Sequence, residues 1–114
     1  MVKRLAKSGG ASAAIVRLLR PKGDDLTILK PMHSAFFGSP LDIVLNKIGV
    51  RSLIITGLAT DICIQLTAAD AFLRGLKVHV PPECTAAESA AKKAAALVYM
   101  RDILKCRVQP WAGA

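Results

Sequence analysis

With 114 residues, 53% of them hydrophobic but only 4% aromatic, the chain has room for one globular domain with a modest core of Ala, Leu, Ile and Val. The formal net charge is +8, and no apolar window reaches the length that a membrane-spanning helix needs. Three widely spaced cysteines (Cys63, Cys84 and Cys106) suit a reduced, cytoplasmic protein better than a disulfide framework, and no CxxC or Cys/His cluster suggests zinc.

Between Met1 and Gly23 stand six basic residues and no acidic one. A nucleic-acid arm or an organelle transit peptide shares that composition. The segment lacks the long apolar core of a secretory signal, and no aromatic residues interleave with its charges as in single-strand binders. The simpler reading is a flexible basic start over residues 1–10 followed by a solvated helix face, with neither nucleic acid nor membrane as a partner. Ile15, Leu18 and Leu19 form an apolar stripe on a helix from Ala11 to Arg20, which Pro21 stops. A turn at Lys22–Asp25 leads into an expected strand, Leu26–Lys30, ended by Pro31.

Ser39-Pro40 followed by Asp42 reads as a helix start, and Gly49 as its close. Ser52-Leu53-Ile54-Ile55-Thr56 is a short β-branched run that breaks at Gly57. Beyond it, Ile62, Leu66, Ala69, Phe72 and Leu73 recur at helical spacing up to Gly75. Strand, tight turn and helix start thus place Cys63 in a first helical turn, beyond the carboxyl end of a strand. Open α/β sheets bind ligands there. Unpaired N–H groups and the positive end of the helix dipole favour thiolate at such a position. A small buried cysteine packing under the sheet remains an equally open reading.

Leu76–Val80 is the next expected strand, stopped by Pro81-Pro82. Thr85-Ala86-Ala87-Glu88 has capping-box spacing and opens an alanine-rich helix from about Ala86 to Leu104. Cys106–Val108 reads as a last short strand. Strands alternating with helices require crossover connections, and hence a mostly parallel sheet covered by helices.

Two stretches, Leu29-Lys30-Pro31-Met32-His33-Ser34-Ala35-Phe36-Phe37-Gly38 and Gly57-Leu58-Ala59-Thr60-Asp61-Ile62-Cys63, resemble the isochorismatase-like cysteine hydrolases. That superfamily includes nicotinamidases, N-carbamoylsarcosine amidases and isochorismatases. The resemblance runs from about Ile15 to Val108. It implies a three-layer α/β/α sandwich with a Rossmann-like sheet, in one domain over residues 1–114 that corresponds to the C-terminal two-thirds of the family fold. It implies Cys63 as nucleophile and Lys30 as its cationic neighbour. Leu58, Ala59 and Cys63 would form the cis-peptide turn and oxyanion hole, with the N–H groups of Ala59 and Cys63 as donors. The matching loop and turn would make a substrate pocket from His33, Phe36, Phe37 and Thr60.

Taken alone, these residues carry plainer readings. Lys30 is then a strand-end lysine snorkelling to solvent, His33 a surface loop histidine, His79 a packed strand residue, and at least one of Phe36 and Phe37 a core anchor.

The chain departs from the family pattern in one respect above others. The family's third catalytic residue is an aspartate at the end of the first strand, and no matching strand is found here. Asp24 and Asp25 precede Lys30 by five or six residues, about 16–20 Å away at the wrong end of the expected strand. Asp61 matches the turn, not the base. The Asp-x-His metal cluster of nicotinamidases has no counterpart either, so no metal or cofactor is expected. Lys93 stands where many relatives have a histidine. The expectation is therefore an N-terminally incomplete domain with an unpaired strand edge, a setting that favours a homo-oligomer.

Three functions remain open on sequence: a cysteine hydrolase acting on a small-molecule amide or related substrate, a catalytically silent relative serving as an oligomerisation or binding module, and, on charge alone, a nucleic-acid binder.

Overall fold

The computed structural model describes residues 10–112. Of the expected flexible start over residues 1–10, all but Gly10 lies outside the described residues. Helix α1 (Gly10–Leu18) comes first. Its core-facing residue is the fully buried Ala13, while Ile15 and Leu18 are exposed along with Leu19 beyond its end.

The first difference from expectation follows. Leu26–Lys30 joins no ladder among the described residues. Its apolar residues point outward, with Leu26 73% and Leu29 84% exposed. A strand needs a neighbour to take its backbone N–H and C=O groups, and β-branched composition alone does not supply one.

Helix α2 (Leu41–Ile48) begins as the Ser-Pro-x-Asp pattern foretells, with the Leu41 N–H donating to Ser39 Oγ at 3.2 Å. It ends at Gly49, where φ is 75°. The N–H groups of Gly49 and Val50 return to the carbonyls of Asn46 and Leu45 and satisfy the last turn.

Strand β1 (Ser52–Ile54) pairs in parallel with β3 (Lys77–His79), in the register Ser52↔Lys77, Leu53↔Val78 and Ile54↔His79. Between them in sequence lie β2 (Gly57–Leu58), a π-helical turn Thr60–Ile64 and α3 (Gln65–Leu73). Arg107 extends the sheet on the far side of β3: its N–H donates to Val78 O at 2.9 Å, and its carbonyl accepts from Val80 N–H at 2.8 Å. The expected last strand is thus present as a single bridge.

A second parallel ladder joins β2 to β4 (Thr85–Ala86). This corrects the capping-box reading. The Thr85 hydroxyl is shared with Thr60 Oγ1 at 2.8 Å and its backbone pairs with Gly57, so neither can start a helix. Helix α4 (Ala90–Asp102) starts instead from Ser89, whose Oγ accepts from Lys92 N–H at 3.1 Å.

The class is therefore α/β with parallel strands and helices, as expected. Its core lies where α3 and α4 meet β3. Ile64, Ala68, Ala71, Val78, Val80, Ala96, Met100 and Leu104 pack there with Phe36 and Cys106. No helix among the described residues is long and apolar enough to cross a membrane.

Candidate active site

Two elements meet at Cys63. The first is the turn after β1. Gly57 holds a φ of 119°, the Leu58–Ala59 peptide is cis, and the Ala59 carbonyl accepts from the N–H groups of both Ile62 and Ile64 at 3.1 Å. The π-helical turn that follows carries Cys63, half-buried, on its outer side.

The second element is the loop after Leu26–Lys30. Lys30 Nζ lies 3.6 Å from Cys63 Sγ and donates to the Met32 carbonyl at 3.3 Å. His33 Nδ1 lies 3.9 Å from the same sulfur. An ammonium and an imidazole thus converge on one thiol, although the segment carrying them pairs with no strand.

Loop anchors supply what a ladder would have given. The Ser34 hydroxyl donates to the Asp70 carboxylate, and the Ala35 N–H donates to Thr67 Oγ1 at 3.0 Å. Both acceptors lie on α3. The Phe36 N–H donates to Ser34 Oγ at 3.2 Å, and the Ser39 hydroxyl donates to the Ala35 carbonyl. Phe36 is 4% exposed, with the Arg74 guanidinium 4.6 Å above its ring. Arg74 in turn pairs with Asp42 at 3.3 Å and Asp70 at 3.2 Å, so one cation holds α2, α3 and the loop together. Gly38, at φ 60°, closes the loop against Pro31, whose Cγ would lie 2.9 Å from an added Cβ.

Beside His33 the loop and α3 border an open, mostly apolar hollow of about 270 Å³, lined by Met32, His33, Ser34, Phe37, Leu66, Ala69 and Asp70 but not by Cys63 or Lys30. Of the four expected pocket residues, His33 and Phe37 line it. Phe36 and Thr60 do not, and both are corrected to structural roles. Phe36 is spent on the core. Thr60 is 0% exposed, its hydroxyl tied to Thr85, where it fixes β4 beside the turn.

Met32, Ser34, Leu66, Ala69 and Asp70 had not been singled out for the pocket. Their signal was present: Leu66, Ala69 and Asp70 share one helical face, and Ser34 belongs to the Ser-Ala-Phe stretch. His79 is half-buried on β3, with Nε2 donating to the Gln109 carbonyl at 2.7 Å and its ring against Trp111.

The other two thiols differ from Cys63 in setting. Cys84 is exposed. Cys106 is 5% exposed, and burial pushes its thiol up to about 11. Among the described residues no carboxylate pairs with Lys30 or Cys63, and no group of His, Cys, Asp and Glu side chains is placed to hold a metal.

A parallel α/β fold with a cysteine at the turn after a strand is the frame of the isochorismatase family, and the chain belongs to that family: the isochorismatase domain model matches residues 2–109. An uncharacterized isochorismatase family protein of Bacillus subtilis (strain 168), YaaI, is 37% identical over 93 residues, 82% of this chain and 51% of YaaI. The ureidoacrylate amidohydrolase RutB of Klebsiella pneumoniae is 43% identical over 70 residues, 61% of this chain and 29% of RutB. The chain therefore spans about half, or less, of the length of these relatives.

Among solved structures, the nicotinamidase SaPncA of Staphylococcus aureus superposes with a TM-score of 0.78 at 28% identity, over 91% of this chain and 65% of SaPncA. N-carbamoylsarcosine amidase of Thermoplasma acidophilum superposes at 0.73 and 29% identity, over 83% of this chain and 53% of the amidase.

Proposed function

We propose that the chain is a cysteine hydrolase of a small-molecule amide or related carbonyl compound, with Cys63 as nucleophile. The observation that carries this reading is the 3.6 Å approach of Lys30 Nζ to Cys63 Sγ, between segments 33 residues apart. Relatives named for amide hydrolysis, the ureidoacrylate amidohydrolase and the nicotinamidase, support the substrate class.

In this reading the Cys63 sulfur attacks the amide carbonyl carbon while Lys30 stabilises negative charge on sulfur. Backbone N–H groups of Ala59 and Cys63 hold the oxyanion. Collapse of the tetrahedral intermediate expels the amine and leaves a thioester, which water hydrolyses to the acid. Phe37, Met32 and Leu66 line the open hollow that reaches Cys63 only through His33, and would suit an apolar part of the substrate.

The test is ammonia release by the purified chain from nicotinamide and ureidoacrylate, with Cys63→Ala alongside. Release by the wild type that disappears in the variant is expected. Equal release by both would remove Cys63 from the chemistry.

A second reading, a catalytically silent relative acting as an oligomerisation or binding module, is favoured by the exposed apolar residues Leu26, Leu29, Ile54 and Leu58. It predicts a stable homo-oligomer by light scattering and no ammonia from either amide.

A further inference from the structure

We infer that Thr85 is a positioning residue for Cys63: through its hydrogen bond to Thr60 it sets where the turn holds the sulfur against Lys30. This rests on the cysteine-hydrolase reading above and deepens it. Three observations carry it. Thr60 opens the π-helical turn that bears Cys63, and its hydroxyl meets the Thr85 hydroxyl at 2.8 Å. Both residues are buried, Thr60 at 0% and Thr85 at 6% exposed, so bulk water does not compete for that bond. The Thr85 backbone also stands in register with Gly57, on the other side of Leu58 and Ala59. One residue thus brackets the stretch between β1 and the nucleophile, by its ladder on one side and its hydroxyl on the other.

Thr85 is itself firmly placed. The chain leaves β3 through Val80, whose N–H donates to the Arg107 carbonyl at 2.8 Å, and enters the fully buried Pro81. The Cys84 N–H returns to the Pro81 carbonyl at 3.0 Å, and Thr85 follows at once. The fixed φ of Pro81 and Pro82 leaves this connection little freedom. Thr60 passes the restraint on, since its carbonyl accepts a backbone N–H from the start of α3. Lys30 rests on different supports. Its Nζ donates to the Met32 carbonyl, and its loop is anchored to Thr67 and Asp70, a turn or more beyond Cys63. A shift of the π-helical turn therefore changes the 3.6 Å approach of Nζ to Sγ.

Contact distances give the size of the effect. The two hydroxyl oxygens sit 2.8 Å apart, whereas two methyl carbons pack at about 3.5–4.0 Å. Replacing both threonines by valine keeps the shape of the pair and leaves no buried hydroxyl without a partner, so the fold should persist. It also drives the turn and β4 apart by about 1 Å. Misplacement of that size at a reacting group costs turnover by about 10²-fold.

The test is the pH dependence of Cys63 alkylation by iodoacetamide in the full chain, read by peptide mass spectrometry alongside the unfolding temperature. The double variant Thr60→Val with Thr85→Val is expected to keep its unfolding temperature and to leave the buried Cys106 unlabelled. Its Cys63 should label about threefold or more slowly at neutral pH, with the rise in rate moved to higher pH. Thr85→Ser retains the hydroxyl and should restore the wild-type profile. A wild-type profile in the double variant would overturn the inference, whatever its stability. So would a displaced profile in Thr85→Ser, which would assign the effect to the lost methyl. Ammonia release from nicotinamide separates this inference from the reading beneath it. Loss in Cys63→Ala with full release by the double variant sinks only the role of Thr85. Release retained in Cys63→Ala sinks the cysteine reading itself.

Discussion

Replacing Gly38 by alanine tests whether the loop after Lys30 is as tightly determined as its contacts imply. Gly38 sits at φ 60°, and a Cβ built there falls 2.9 Å from Pro31 Cγ. Left-handed backbone costs an L-residue about 1–2 kcal/mol relative to glycine. The Pro31 ring is not a flexible chain end and cannot step aside alone, so relieving the contact should cost about 1–3 kcal/mol more. At about 4 °C per kcal/mol for a domain of this size, the thermal midpoint should fall by about 8–20 °C.

The relief has a direction as well. Pro31 follows Lys30, so any shift of the ring moves the ammonium relative to Cys63, and Gly38→Ala should slow Cys63 alkylation as it lowers the midpoint. Differential scanning fluorimetry and labelling on one preparation read both. A midpoint within about 2 °C of wild type together with unchanged labelling would show that the loop is loose and that the 3.6 Å approach of Lys30 to Cys63 does not depend on it.

Three further outcomes are expected. Lys30→Ala removes a unit charge 3.6 Å from sulfur, worth about 1 kcal/mol in a water-like dielectric, so Cys63 alkylation at neutral pH should slow about five- to tenfold; an unchanged rate would separate the lysine from the thiol. Ser34→Ala removes the donor to Asp70 and the acceptor of Phe36 N–H at a buried position, and should cost about 1–3 kcal/mol by urea unfolding; a value near zero would mean the loop is not anchored there. Cys106, whose thiol is pushed up to about 11 by burial, is held protonated in the folded state. Its contribution to stability is complete below about pH 9 and lost as pH rises through its folded value. Urea unfolding across that window should show a decline of about 2–3 kcal/mol that Cys106→Ala lacks.

Strands β1 and β3, and the turn between β1 and α3, were legible because each rests on local pattern: a β-branched run, a glycine break and helical spacing from Ile62. Helix α2 was legible for the same reason, from Ser39 to Gly49. Where a role depends on a distant partner the sequence misleads. Leu26–Lys30 has strand composition but no ladder among the described residues, and composition carries no information about neighbours. Thr85 has the spacing of a capping box, yet its hydroxyl is taken by Thr60, which stands 25 residues earlier. Thr60 and Phe36 sit in the motifs that suggest a pocket. Their burial follows from how β4 and Arg74 close over them, which no local pattern reveals. Asp70 lay on a helical face read only for its apolar members, although its carboxylate holds the loop that brings Lys30 and His33 to Cys63.

The reactive-thiol account is tested most directly by letting the chain's three cysteines compete for limiting iodoacetamide at neutral pH, with each site quantified by peptide mass spectrometry. Exposure alone orders them Cys84, Cys63, Cys106, since the first is exposed, the second half-buried and the third buried. An ammonium and an imidazole converging on one sulfur predict a different order, with Cys63 ahead of Cys84 despite its lower exposure and Cys106 last. Labelling that simply follows exposure, with Cys84 first, would contradict the claim that this turn builds a nucleophile.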